Sequence, residues 1–464
     1  MPPVAASIYR WAKRFSIPEL YAISAFILLA IWLIYWFGRS AVLGVARLHR
    51  IVPRRWIVSR LPGPWRRFHF IYLPNGLRWM DISRRHQGIA IVIMFTANIV
   101  GLTLRIDSWN EVQRRAGSFA IIHLIPLCTG LTFGIPADIL RLDRQVMAWS
   151  HRWIGRLCVM HSLLHGSILV PTVRASSLKT ARHIVPLAAG SCLVLIVPLT
   201  HARVLRHHMQ FAMKCHYCLA AVAISTLAYH LIERQSVYRW YLLGGVCLWL
   251  IVSLGACVMT LFAHRRCRSF RHEVELSAFN GLLWLEIALP RHRVIYPGQY
   301  VQLCFPQAGV RARLQFVSLY VGFWEESATG RTLHMVARPQ SGLTRRLYES
   351  LRRRHLRHID GDGKNYPGKA HQITKQPVIV FGPYGRTHNL DSFGTILFVV
   401  EEIGFYRTLS YIEMLVQASR DRRAMIRKVE VLWEVEDSRY DPSIPYFFAQ
   451  GQPDYYAKSS VYRR

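Results

Sequence analysis

Four histidines carry the strongest chemical signal in this chain. His151 and His165 are separated by thirteen residues, and so are His216 and His230. A fourteen-residue step advances an α-helix by about 21 Å and turns it through nearly four whole turns. Both members of each pair therefore fall on nearly the same helical face, one towards each surface of a membrane. Two such helices facing each other would set His151 opposite His216 and His165 opposite His230. Imidazole nitrogens serve as axial ligands to haem iron. The two levels would then hold two b-type haems stacked across the core, a path for single electrons. A buried histidine can also be a hydrogen-bonded packing residue. Ionisable groups inside a membrane nevertheless lean towards function, and two pairs of identical spacing on adjacent spans are hard to assign to packing. His161, one turn before His165, is a rival ligand, and His123 reads as a packing residue. Arg152, Arg156, Arg206 and Lys214 flank the inner pair, where they suit haem propionates or, equally, the basic cytoplasmic end of a span.

The elements that must position these histidines are membrane helices. Apolar residues make up 52% of the 464-residue chain and cluster in its first 263 positions as runs of near-spanning length. Seven spans are expected, near 20–38, 88–104, 118–135, 150–171, 185–200, 211–232 and 240–263. The first is read as a retained span rather than a signal peptide, being bulky and without a small-residue cleavage site. The formal net charge is +33, from 59 Lys+Arg against 26 Asp+Glu. No nucleic-acid-binding module accompanies it, so the excess is assigned to arginines and lysines beside a lipid bilayer. The segment 39–87 is crowded with arginine, from Arg39 to Arg85, which places it in the cytoplasm. That puts the N-terminus outside and, after seven crossings, the C-terminal domains in the cytosol. Nine cysteines are scattered without paired metal-binding spacing.

After Phe262 the pattern changes to short alternating runs bounded by Pro and Gly. These predict an antiparallel β-barrel over 273–375, with 352–374 as a basic, glycine-containing surface loop. The runs PVIVFG (377–382), TILFVV (395–400) and VEVLWEV (429–435), with a helical stretch at 405–418, predict a partial α/β domain. The final residues, 436–464, show no clear period. The domains expected are 1–87 (a span and a cytosolic loop), 88–263 (a membrane haem domain), 264–375 (a flavin barrel) and 376–464 (a partial nucleotide domain).

The segments HRWIGRLCVMHSLLH (151–165) and HYCLAAVAISTLAYH (216–230) resemble the paired bis-histidine helices of the fungal ferric-chelate reductases, members of the transmembrane ferric reductase and NADPH oxidase superfamily. The order of parts is similar over roughly residues 80–435. The resemblance implies a ferredoxin-reductase-like cytosolic region and a flow of electrons from cytosolic NADPH through FAD and two haems to ferric or cupric chelates outside. It further implies iron uptake at the plasma membrane, with an iron permease or multicopper oxidase as neighbours. A flavin between NADPH and haem converts two-electron into one-electron chemistry. For FAD, Pro297, Gly298, Gln299 and Tyr300 match the family's P-G-Q-Y turn, while Arg338, Gly342 and Thr344 match its later pyrophosphate segment. Phe316, Val317 and Ser318 stand where the flavin motif falls, without its His-Pro.

Gly382, Pro383, Tyr384 and Gly385 match the G-P-Y-G turn that precedes the nucleotide domain. Gly404 is the remaining glycine of a Gly-Gly-x-Gly phosphate turn that reads Glu401-Glu402-Ile403-Gly404 here. Two carboxylates replace glycines where backbone would approach phosphate. The family's later strands and C-G-P segment have no counterpart before residue 464, as in a degenerate relative or an incomplete chain. Two functions are therefore expected: an NADPH-dependent metal reductase, or a haem membrane protein that has lost NADPH binding and depends on a partner. A transporter with structural histidines would leave the flavin-like barrel unexplained.

Overall fold

The computed structural model describes residues 15–48, 81–82, 85–129, 134–140, 142–172, 180–265, 271–279, 281–290, 294–307, 316–327, 330–339, 342–362, 374–385, 387–388, 390–391, 393–435 and 460–463. They form two compact units, Met1–Gly255 and Ala256–Arg464. Most of the arginine-rich loop after α1 lies outside the described residues.

The first unit is helical: α1 (Ile17–Leu48), α2 (Arg85–Thr103), α3 (Trp109–Leu127), the short α4 (Gly134–Ile139), α5 (Arg144–Leu169), α6 (Ala181–Leu199), α7 (Ala202–Glu233) and α8 (Tyr238–Arg265), which runs past the unit boundary. Each of the seven expected spans corresponds to a long helix. Only five of these, α1, α2, α6, the Phe211–Glu233 part of α7 and the Tyr238–Gly255 part of α8, are long and apolar enough to cross a membrane. Among the described residues, length and composition thus match five of the seven expected spans. The two others are α3 and α5, and polarity is what sets them apart. Helix α3 carries Glu111, Arg114 and Arg115, and α5 carries Arg144, Arg152 and Arg156.

Helix α3 buries a continuous stretch from Ala116 to Leu124 broken only by Gly117. The outer helices instead present apolar side chains outward, such as Phe26 and Ile34 on α1, 70% and 71% exposed, and Ile251 on α8, 70% exposed. That division, polar helix inside and apolar surface outside, is the one a lipid solvent favours. Helix α7 begins nine residues earlier than expected and is kinked at His208 (φ −131°, ψ 36°).

In the second unit, β1 (Arg271–Phe279), β2 (Leu282–Pro290), β3 (Tyr300–Cys304), β4 (Phe316–Tyr320), β5 (Phe323–Glu326), β6 (Gly330–Ala337) and β7 (Thr374–Tyr384) form one antiparallel sheet in the order β4-β3-β7-β1-β2-β6-β5. It curls around a core that includes Val274, Leu285, Val301, Leu333 and Val380, all at most 1% exposed. The alternation of LLWLEIALP is realised in β2, where Leu283, Leu285, Ile287 and Leu289 are buried. Two sequence expectations are corrected here. The loop expected at 352–374 begins instead as the second half of a helix, α9 (Leu343–Asp362), which seats Leu343, Leu347 and Leu351 on the sheet's core. The PVIVFG run belongs to β7, paired with β1 and β3, and not to the α/β part.

The α/β part consists of β8 (Thr395–Glu401), α10 (Gly404–Arg420), β9 (Lys428–Val435) and β10 (Ser460–Arg463), with the sheet order β10-β9-β8 and both pairings parallel. Strand β10 lies in the segment where the sequence showed no period.

Candidate redox site

The histidine pairs fall on α5 and α7. The rings of His151 and His216 face each other with centroids 6.2 Å apart and planes inclined by 63°. Two imidazoles bonded to opposite sides of one metal, each through a bond of about 2 Å, place their centroids about 6 Å apart. At the other level, the Nδ1–H of His165 donates to the Gln113 carbonyl oxygen at 2.8 Å. A ring nitrogen held this way leaves Nε2 as the lone-pair nitrogen, the tautomer a metal-bound histidine adopts. Gly117 makes room for this ring, since a Cβ there would stand 2.8 Å from His165 Nδ1. The Nδ1 atoms of His216 and His230 are buried and have no hydrogen-bond partner among the described residues. At the inner level the spacing of His151 and His216 fits a haem held between them.

His161 and His123 are already engaged. Nε2–H of His161 donates to Asn98 Oδ1 at 2.9 Å. Asn98 Nδ2 donates to the Met94 carbonyl at 2.8 Å and more distantly to the Tyr21 hydroxyl at 3.4 Å. Tyr21 in turn meets His123 Nε2 at 3.3 Å, and His123 Nδ1–H donates to the Phe119 carbonyl at 2.6 Å. The rings of His123 and His161 stack with centroids 5.3 Å apart. His161, the rival ligand of the sequence reading, thus belongs to a network joining α1, α2, α3 and α5. Arg152 Nε is 2.6 Å from Asp81 Oδ2, and Arg156 lies over the Trp153 ring at 4.5 Å.

In the second unit, two of the expected flavin-side turns come together. Tyr300 pairs with Tyr384 in register, their rings 5.8 Å apart, and Gln299 Nε2 donates to the Gly385 carbonyl at 3.4 Å. Gly298 is at φ +78°, and a Cβ there would lie 2.3 Å from the Tyr411 hydroxyl of α10. That close approach is therefore used by the protein's own packing. Gly382 and Gly385 also have positive φ, and the Gly382–Pro383 bond is cis. Phe316, Val317 and Ser318 lie on β4 opposite Cys304, Leu303 and Gln302. Arg338 follows β6, and Gly342 (φ +72°) and Thr344 open α9.

The β8–α10 turn does not fit a nicotinamide dinucleotide. Arg338 Nη1 donates to a Glu402 carboxylate oxygen, and the Glu402 side chain is 12% exposed. Its charge stands in the turn where a phosphate would have to approach.

No protein-family model matches the chain. It is similar to a protein described as a probable cell surface ferric reductase of Aspergillus oryzae, 24% identical over 349 residues, a match covering 69% of this chain and 43% of that protein. The chain thus spans less than half the length of this relative. Among solved structures, the cytochrome b5 reductase domain of Ulva prolifera nitrate reductase is 11% identical over 42% of this chain and 72% of its own, with a TM-score of 0.28. A mutant ferredoxin-NADP+ reductase from Plasmodium falciparum is 8% identical over 42% of this chain and 71% of its own, with a TM-score of 0.27. The resemblance to a fungal ferric reductase read from the histidine helices agrees with the Aspergillus match.

Proposed function

We propose that this chain carries electrons across a membrane through two b-type haems and delivers them to ferric or cupric chelates, as a ferric-chelate reductase in iron uptake. The supporting observation is the bis-histidine geometry: His151 and His216 at the spacing of two axial imidazoles, and His165 in the tautomer that leaves Nε2 available. Bound haem supplies reversible one-electron chemistry. The protein's part is to hold the rings on α5 and α7, fix their tautomers and keep the path dry. In this reading the N-terminus is outside, the flavin-type domain is cytosolic, and the plasma membrane is the site of action. The turns at Pro297–Tyr300 and Gly382–Gly385, with Phe316–Ser318 and the Arg338–Thr344 segment, form the candidate FAD region.

The Arg338–Glu402 pair favours a second reading for the electron source. The chain then accepts electrons from a partner protein instead of from its own NADPH.

An anaerobic visible spectrum of membranes carrying the chain, taken after NADPH and then after dithionite, tests both. Haem bands that reduce with NADPH support the self-sufficient reductase. Bands that respond to dithionite alone support the partner-dependent form. If no haem band is seen, the proposal fails.

A further inference from the structure

In a parallel sheet the turn from strand to helix is where dinucleotide phosphates are received, because the helix's first N–H groups and its positive end face that turn. The β8–α10 turn is open at one residue and shut at another. At Gly404 an added Cβ would meet no atom within 4 Å. Glu402, two residues earlier, sits at φ +44°, in the left-handed region that favours glycine. Its backbone is pinned there. Its N–H donates to the Glu434 carbonyl at 2.9 Å, and its own carbonyl accepts from Trp433 Nε1 at 2.9 Å. The side chain is directed inward onto Arg338. Its other oxygen, Oε1, is buried with no hydrogen-bond partner among the described residues. A carboxylate is thus held at an unfavourable backbone angle, largely out of water, against the arginine that directly follows β6.

We propose that Glu402 is an internal substitute for a dinucleotide phosphate: its carboxylate, clamped by Arg338, closes the β8–α10 turn against NADPH and NADH. An arriving phosphate would meet a like charge and find the guanidinium already engaged. The inference rests on the partner-dependent reading and names the residue pair responsible for it. Glu402 therefore decides which electron donor the chain accepts.

The test is a titration of the purified full-length chain with NADPH, and separately with NADH, followed by energy transfer from tryptophan to the reduced nicotinamide. Trp433, hydrogen-bonded to Glu402, is the nearby donor. The variants are Glu402→Gly, Glu402→Gln and Arg338→Ala. Wild type and Arg338→Ala, which keep the carboxylate, should give no saturable signal up to about 1 mM. Glu402→Gly should bind NADPH saturably, at least about tenfold more tightly than wild type. Glu402→Gln, which keeps the bulk but not the charge, should fall between.

Saturable binding by wild type equal to that of Glu402→Gly would overturn the proposal. So would a folded Glu402→Gly that binds neither nucleotide. Should Glu402→Gly misfold, Glu402→Gln decides alone, its gain of binding supporting the plug and its silence refuting it. Haem spectra of the same preparations report separately on the electron path, so that path can fail without the plug failing, and the reverse.

Discussion

The ring nitrogens of His216 and His230 and the carboxylate of Glu402 are all buried polar groups, and their surroundings differ. In the helical unit the two Nδ1 atoms have no partner among the described residues, and His165 already holds the tautomer a metal requires. In the second unit the corresponding groups are consumed internally. Arg338 is paired with Glu402, and the approach at Gly298 is filled by Tyr411. Residues that match a binding motif therefore say less about binding than whether their polar atoms and open space remain available.

The largest effect that would break this contrast comes from the histidines. Replacing one ligand at each level, His151→Ala with His230→Ala, should abolish both haem bands, whereas His165→Ala with His230→Ala should leave about half the absorbance. Retention of full absorbance in the first variant would show that His151 and His230 are not ligands.

Next in size is Gly117→Leu. The added side chain starts 2.8 Å from His165 Nδ1, so the ring must move, and only the outer haem should be lost from the spectrum. Gly117→Ala should shift its bands with less loss.

Smaller again is Asn98→Leu. It removes the acceptor of the His161 Nε2–H, at a cost of about 2 kcal/mol for the stranded donor, read as a lower thermal midpoint with both haems retained. Loss of a haem would instead place His161 in the ligand set.

The smallest effect is a pH dependence in the second unit. The hydrogen bond from His334 holds the Glu286 carboxyl below the ordinary carboxylate range. A depressed acid contributes stability above its unfolded pKa, near 4.3, and loses it as pH falls through the lower folded value. The side chain is half exposed, so the difference between wild type and Glu286→Gln should be about 0.3 kcal/mol at pH 7 and should vanish once the pH has fallen below the lowered folded value.

The histidine pairs were legible because helical periodicity converts sequence spacing into geometry. The His161 network was not, because Asn98 and Tyr21 lie 63 and 140 positions away in sequence on other helices. Helix α9 was half legible. Its Leu343, Leu347 and Leu351 repeat every fourth residue, a helical signal, but the basic residues and glycines that follow Arg352 read as a loop. Strand β7 was read as a strand, although its partners were misassigned, since an apolar run does not encode which edge it joins. The replacement of glycine by Glu402 was visible in sequence. Its positive φ and its arginine partner were not, because both depend on chain segments brought together only by the fold.

The polarity of α3 and α5 bears on how the protein is made. Neither is among the helices apolar enough to cross a bilayer by composition, yet α5 carries two of the four candidate ligands and α3 provides the carbonyl that orients one of them. Such segments are poor substrates for one-by-one release from a translocation channel into lipid. They must be held until apolar neighbours made later, such as α6, arrive to shield them. Biogenesis then imposes an order in which the bundle assembles before its interior helices leave the insertion machinery, and the face carrying the four histidines exists only once that assembly is complete.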